Sequence, residues 1–165
     1  MHSLFNKVAI ITGCTADSIG RACALELAKK GTKVVVTGRT ETGGRETEKI
    51  IRDAGGECIY IKHDVTKVSD WELVVDKTLK EFNQINFLIN NAGEAIVKPI
   101  EKLSFKDLEF LRLVDLDGPF IGMKYCWPHM VKSGGGVILN MSSIVGQKGN
   151  PKGTAYGAIK GAQLG

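Results

Sequence analysis

Lys7-Val-Ala-Ile-Ile-Thr12-Gly13-Cys-Thr-Ala-Asp-Ser18-Ile19-Gly20-Arg21 is the stretch that decides the fold. Its first six residues are a nearly continuous apolar run, the pattern of a strand buried on both faces of a parallel sheet. Gly13 to Gly20 reads as a loop, and Arg21 to Lys30 as a helix stopped by Gly31. Ala22, Leu25 and Ala28 form one candidate buried stripe on that helix. A strand that turns through glycine into a helix lets the backbone approach a pyrophosphate, which the helix N-terminus then favours. Such a turn can also be purely structural. Its place after the first strand of an alternating chain favours dinucleotide binding, with Gly13, Ser18, Ile19 and Gly20 as the candidate contacts.

The alternation continues outward from there. Lys33-Val-Val-Val-Thr37, Cys58-Ile-Tyr-Ile61, Ile85-Asn-Phe-Leu-Ile89 and Val137-Ile-Leu-Asn-Met-Ser-Ser143 read as further strands, the last of them as a buried one. Between them lie a polar-faced helix from Arg45 to Ala54 and a helix carrying Trp71, Val74, Val75, Leu79 and Phe82. Ser69 and Glu72 have capping-box spacing for the latter. A longer helix is expected from about Ser104 towards Met130, with Leu108, Leu111, Val114 and Ile121 inward and Pro119 and Pro128 bending or breaking it. Strands alternating with helices predict one α/β domain over 1–165, a doubly wound parallel sheet in strand order 3-2-1-4-5.

Composition bounds the rest. The chain has 165 residues, long enough for a real core, with 43% apolar and 24% charged residues and a net charge of +4. Lys and Arg are scattered, so nucleic acid is not an expected partner. Four cysteines and three histidines show no metal-ligand spacing, so no metal is expected, and the cysteines read as small core residues in a reducing compartment. No signal peptide or membrane-length apolar stretch is visible, and a soluble cytoplasmic protein is the default expectation.

Three strand ends carry the remaining cofactor chemistry. An acid at the end of the second strand would bind the adenosine ribose 2′-hydroxyl, whereas an arginine suits a 2′-phosphate. Here the strand ends Thr37-Gly38-Arg39, with no acid until Glu41, which favours NADP, with NAD as the other candidate. Asp64-Val65 ends the third strand and could meet an adenine edge. Asn91-Ala92-Gly93 ends the fourth. Further on, Tyr156-Gly-Ala-Ile-Lys160 puts a phenol and an ammonium on one helix face. A fixed cation beside a phenol favours the phenolate. With the Ser143 hydroxyl at a strand end, these groups could polarise a carbonyl and move a proton. Alone, the Tyr/Lys pair is a weak signal and reads more readily as an amphipathic turn with a snorkelling lysine.

At this point the chain resembles the classical short-chain dehydrogenase/reductase family. The matching residues are Thr12-Gly13 with Ile19-Gly20-Arg21-Ala22, Asp64-Val65, Asn90-Asn91-Ala92-Gly93, Met141-Ser142-Ser143 and Tyr156-Gly-Ala-Ile-Lys160, in the family's order and spacing. The resemblance covers essentially the whole chain. It implies a Rossmann fold and nicotinamide-dependent interconversion of a small-molecule carbonyl and an alcohol. By it, Tyr156 is the general acid/base, Ser143 holds the substrate oxygen, and Lys160 binds the nicotinamide ribose and favours the phenolate. It also implies pairing of subunits through the long helix after the fourth strand and the Tyr/Lys helix.

Three departures stand out. The glycine loop is one residue longer than the usual form, with Asp17-Ser18 where a middle glycine is expected. Asp115 stands where the family has a catalytic asparagine, and its carboxylate would stabilise ammonium on Lys160 and compete for its contacts. The sequence ends at Gly165, where relatives continue, so weak cofactor binding, little turnover and an uncapped fifth strand are expected. The competing expectation is a nucleotide-binding remnant or an interaction protein without turnover.

Overall fold

The computed structural model describes residues 4–15 and 17–164. Ala16 in the glycine loop, His2 and Gly165 lie outside the described residues. Five strands, β1 (Val8–Thr12), β2 (Lys33–Gly38), β3 (Cys58–Lys62), β4 (Phe87–Asn90) and β5 (Val137–Asn140), form one sheet in the order β3-β2-β1-β4-β5. Every pairing is parallel, as the alternating sequence predicts. The helices are α1 (Ile19–Lys29), α2 (Glu41–Asp53), α3 (Val68–Phe82), α4 (Phe105–Arg112), α5 (Gly118–Lys132) and α6 (Thr154–Ala162).

β1 explains why the sheet is covered on both sides. Successive strand residues point to opposite faces, and all five of its residues are buried. Val8 and Ile10 pack with Trp71, Val74 and Val75 of α3 and with Cys126 and Met130 of α5. Ala9 and Ile11 pack with Ala24 of α1 and Ile51 of α2. Each such aliphatic side chain contributes roughly 1.5–3 kcal/mol by leaving water.

Several local expectations are corrected. On α1 the buried residues are Gly20, Arg21 and Ala24, while Ala22 is exposed and Leu25 and Ala28 are only partly covered. The stripe is displaced because Arg21 turns inward to polar partners. Helix α2 starts at Glu41, a turn before the expected Arg45, and takes in Gly43 and Gly44. A Cβ on Gly43 would sit 1.7 Å from the Thr15 carbonyl oxygen, and one on Gly44 2.0 Å from the Tyr60 ring, so the two glycines let α2 pack against the glycine loop and against β3. Helix α3 starts at Val68 after Lys67, with no side-chain cap, and Glu72 instead accepts from the Tyr125 hydroxyl. The observed capping box is Ser104 with Asp107, at the start of α4.

The segment read as one long helix stays helical from Phe105 to Lys132 but widens over Leu113–Asp117, where Gly118 N–H reaches back to the Leu113 carbonyl. Of its expected inward residues, Leu111 and Val114 are buried, Ile121 is half-buried and Leu108 is exposed. Pro128 is accommodated inside α5. Pro119 has no N–H for the carbonyl four residues back. That carbonyl belongs to Asp115, and the Gln163 side-chain amide donates to it instead. β5 is not the buried strand its composition predicts. It pairs only with β4, and Val137 and Leu139 are 57% and 44% exposed.

Candidate active site

A groove runs over the carboxyl ends of β1 to β4. Gly13 and Thr15 form its floor, Gly38, Arg39 and Thr40 one wall, and Ala92 and Gly93 the opposite wall. Asp64, Val65 and Val114 line it as well. Six of the residues expected at a dinucleotide thus surround one space: Gly13, Arg39, Asp64, Val65, Ala92 and Gly93. Ser18, Ile19 and Gly20 stand at the start of α1 beside it. Ser18 caps the helix, its Oγ accepting from Arg21 N–H at 3.2 Å and donating to the Gly13 carbonyl at 3.1 Å.

The glycine loop is stitched from beneath by residues the motif does not announce. Arg21, nearly buried, donates from Nε to Thr47 Oγ1 at 2.9 Å and from its Nη atoms to Asp17, Glu46 and the Gly43 carbonyl. Thr47 Oγ1 in turn donates to the Cys14 carbonyl at 2.7 Å. Thr12 Oγ1 accepts from the backbone N–H groups of Asn91 and Ala92. The Asn91 side chain donates to the carbonyls of Thr12 and Gly13. It therefore ties the β4 loop to the β1 loop and leaves backbone, not its amide, facing the groove. No local signal marks Thr47 for this role: it is a buried threonine inside α2, seven residues after the N-cap Thr40.

The remaining groove residues have their own partners. Asp64 accepts from Thr66 N–H and Oγ1 through Oδ1, and its own N–H donates to Asp70. Burial works to raise the Asp64 carboxyl, and the Thr66 hydrogen bonds with Lys67 and Arg39 carry it below the ordinary value. Arg39 is exposed and paired with Glu94, a residue singled out by no motif. His63, at the base of the groove, is 1% exposed, with Nδ1 2.9 Å from Thr37 Oγ1 and its ring edge-on to Trp71 at 4.4 Å. Burial pushes its pKa down to about 4.

The second half of the site lies around α6. Ser143 ends the segment after β5 and starts a short turn over Ile144–Gly146, its Oγ accepting from Val145 N–H at 3.4 Å. That turn packs against α6 so closely that a Cβ on Gly146 would lie 2.8 Å from the Lys160 carbonyl. Ser142 Oγ donates to the same carbonyl at 2.8 Å, fixing α6 to the end of β5. Tyr156 is half-buried beside Leu111, Ala155 and Ile159, with Lys160 Nζ 5.8 Å from its ring centre. The Lys160 ammonium is buried, donates to the Met141 carbonyl at 2.8 Å and lies 2.8 Å from Asp115 Oδ1. The Asp115 contact is a close ion pair without hydrogen-bond alignment, and Oδ1 has no other partner among the described residues. Asp115 Oδ2 accepts from Glu94 N–H at 3.1 Å. Gly93 joins the two halves, since a Cβ there would sit 2.7 Å from Asp115 Oδ1 and 3.4 Å from Lys160 Nζ.

The backbone around the groove suits a dinucleotide. A Cβ on Gly20 would lie 2.5 Å from Asn91 Nδ2 and 2.8 Å from the Gly13 carbonyl, and one on Gly13 would lie 2.9 Å from Ala92 Cα. Gly13 also has φ +75, a conformation that favours glycine. These glycines let the β1 loop, the β4 loop and the start of α1 pack closely at the edge of the groove, and a helix N-terminus favours an anion. Among the described residues no group of three or more His, Cys, Asp or Glu could hold a metal, and no helix is long and apolar enough to cross a membrane.

The sequence profile of the family described as short chain dehydrogenase matches residues 7–165. The chain belongs to the short-chain dehydrogenase family. Among its relatives, an uncharacterized oxidoreductase of Thermotoga maritima is 40% identical over 96% of this chain and 62% of its own length. An NADP-dependent (R)-specific alcohol dehydrogenase of Lentilactobacillus kefiri is 38% identical over 96% of this chain and 63% of its own. L-fucose dehydrogenase of Oryctolagus cuniculus is 32% identical over 94% of this chain and 53% of its own. This short-chain dehydrogenase chain thus spans about three-fifths of the length of the first two of these curated relatives.

Proposed function

We propose that the chain carries the cofactor site and the proton-transfer residues of an NADP(H)-dependent oxidoreductase that interconverts a small-molecule ketone and a secondary alcohol. The observation that carries this reading is the junction at Gly93, where the nucleotide groove meets the buried Lys160 ammonium one helical turn from Tyr156. The relative from Lentilactobacillus kefiri, named NADP-dependent and an alcohol dehydrogenase, supports the reaction class and the cofactor. Gly13, Ser18, Ile19 and Gly20 would cradle the pyrophosphate, Arg39 the 2′-phosphate, Asp64 and Val65 the adenine, and Asn91, Ala92 and Gly93 the nicotinamide half. When bound, the nicotinamide supplies or takes up a hydride. Ser143 donates a hydrogen bond to the substrate oxygen, an interaction that strengthens as charge develops there. Tyr156 gives that oxygen its proton, and Lys160 holds the nicotinamide ribose beside the phenol.

An apolar face lined by Ile100, Leu103, Phe105 and Leu108 with Ala155 and Ala158 of α6 fits the pairing of two subunits, and Phe105 on it is 91% exposed. A second reading, nucleotide binding without turnover, is favoured by one observation: Asp115 neutralises Lys160 at close range. NADPH oxidation in the presence of a ketone panel, by a form of the chain as long as its relatives, separates the two readings. Consumption that falls about 10²–10⁴-fold in Tyr156→Phe, the usual worth of general acid–base catalysis, with unchanged NADPH affinity, is the expected result. Binding without ketone-dependent consumption would leave the second reading standing.

A further inference from the structure

We propose that Glu94 is a specificity-determining residue, an internal competitor that the cofactor's 2′-phosphate must displace from Arg39. The inference rests on the NADP reading above. Arg39 follows β2 and Glu94 follows β4, with β1 between them in the sheet. The Arg39–Glu94 ion pair therefore spans the groove above Gly13, from one wall to the other. The two side chains are 60% and 35% exposed, so the pair can open without disturbing the core. The Glu94 backbone, by contrast, is held by the buried Asp115 carboxylate. The base of Glu94 stays fixed while its side chain swings.

Charge decides the exchange. A phosphomonoester carries more negative charge than a carboxylate and offers three acceptor oxygens to a guanidinium. NADPH can therefore take Arg39 from Glu94, whereas NADH, with a neutral ribose hydroxyl, has nothing to offer in return. The carboxylate released beside the phosphate repels it, which lowers the affinity that Arg39 alone would give. Glu94 thus moderates the preference that Arg39 creates, and it does so from a loop remote in sequence from the second strand where an acid was sought.

The test is calorimetric titration of wild-type, Glu94→Gln and Arg39→Ala chains with NADPH and with NADH. Removing an exposed competing charge is expected to tighten NADPH about three- to tenfold and to move NADH less than twofold. The gain should shrink at high salt, where exposed charges are screened. Unchanged NADPH affinity in Glu94→Gln overturns the proposal, as does an equal gain for both cofactors, which would make Glu94 a mere obstruction. Weaker NADH binding in that variant also overturns it, because Glu94 would then be a ribose ligand. If instead Arg39→Ala leaves NADPH and NADH unchanged, the NADP reading itself fails, whatever Glu94 does.

Discussion

At Lys160 two oxygens, the Met141 carbonyl and Asp115 Oδ1, share one buried ammonium. The carboxylate expected to stabilise ammonium on Lys160 lies 2.8 Å from it. In Asp115→Asn the one side-chain oxygen can accept from Glu94 N–H or from Lys160 but not face both, so the ion pair is lost while the Met141 contact remains. In a form as long as the relatives the substitution is expected to keep the fold and to raise turnover, by removing a carboxylate that competes for Lys160. Thermal unfolding should show a drop, since a buried cation that loses its counter-ion costs about 3–5 kcal/mol unless another partner compensates, and the Met141 carbonyl compensates in part. Lower turnover with an intact fold would instead make Asp115 a working member of the proton path.

At the scale of elements, the strand order and the strand-end motifs were legible because they rest on local patterns: an apolar run, a glycine turn, a helix period. β5 sits at the edge of the sheet as the uncapped fifth strand expected, but its composition alone misread it as buried, for an equally physical reason. Composition reports that Val137 and Leu139 are apolar, but exposure depends on which element covers the strand. The Arg21–Thr47 strut and the Arg39–Glu94 bridge were not legible, because each joins residues of separate elements. Gly43 shows the same limit, since it lies ahead of the helix expected from Arg45 and is a helical residue packed against the Thr15 carbonyl. Gly43→Ala drives a Cβ into the Thr15 carbonyl, and overpacking of this kind costs about 1–3 kcal/mol. Because Thr15 lies in the groove floor, NADPH affinity should fall together with the melting temperature. A lower melting temperature with unchanged affinity would show that the loop absorbs the shift elsewhere.

For the whole molecule, His63 links stability to pH. Its folded pKa is about 4 against an ordinary 6.5. Above pH 6.5 neither folded nor unfolded chain carries the proton. As pH falls from about 6.5 to about 4, only the unfolded chain binds it, so stability declines across that window and the loss is complete below it. The full loss is about 3 kcal/mol. Urea unfolding at pH 7.5 and 4.5 should show it in the wild type and much less of it in His63→Gln, whose amide can keep the Thr37 contact. Equal losses in both would assign the pH dependence to other groups.

In the reading proposed above, the carboxyl edge of this sheet holds a dinucleotide and reads its 2′-phosphate through Arg39. Side-by-side titration of the chain with NADPH and NADH, before and after Arg39→Ala, tests it most directly. A charged hydrogen bond contributes about 1.5–3 kcal/mol, and exposure of Arg39 discounts that, so NADPH is expected to bind about tenfold more tightly and to lose that advantage in Arg39→Ala. Equal affinity for the two cofactors, unchanged by the substitution, would contradict the claim.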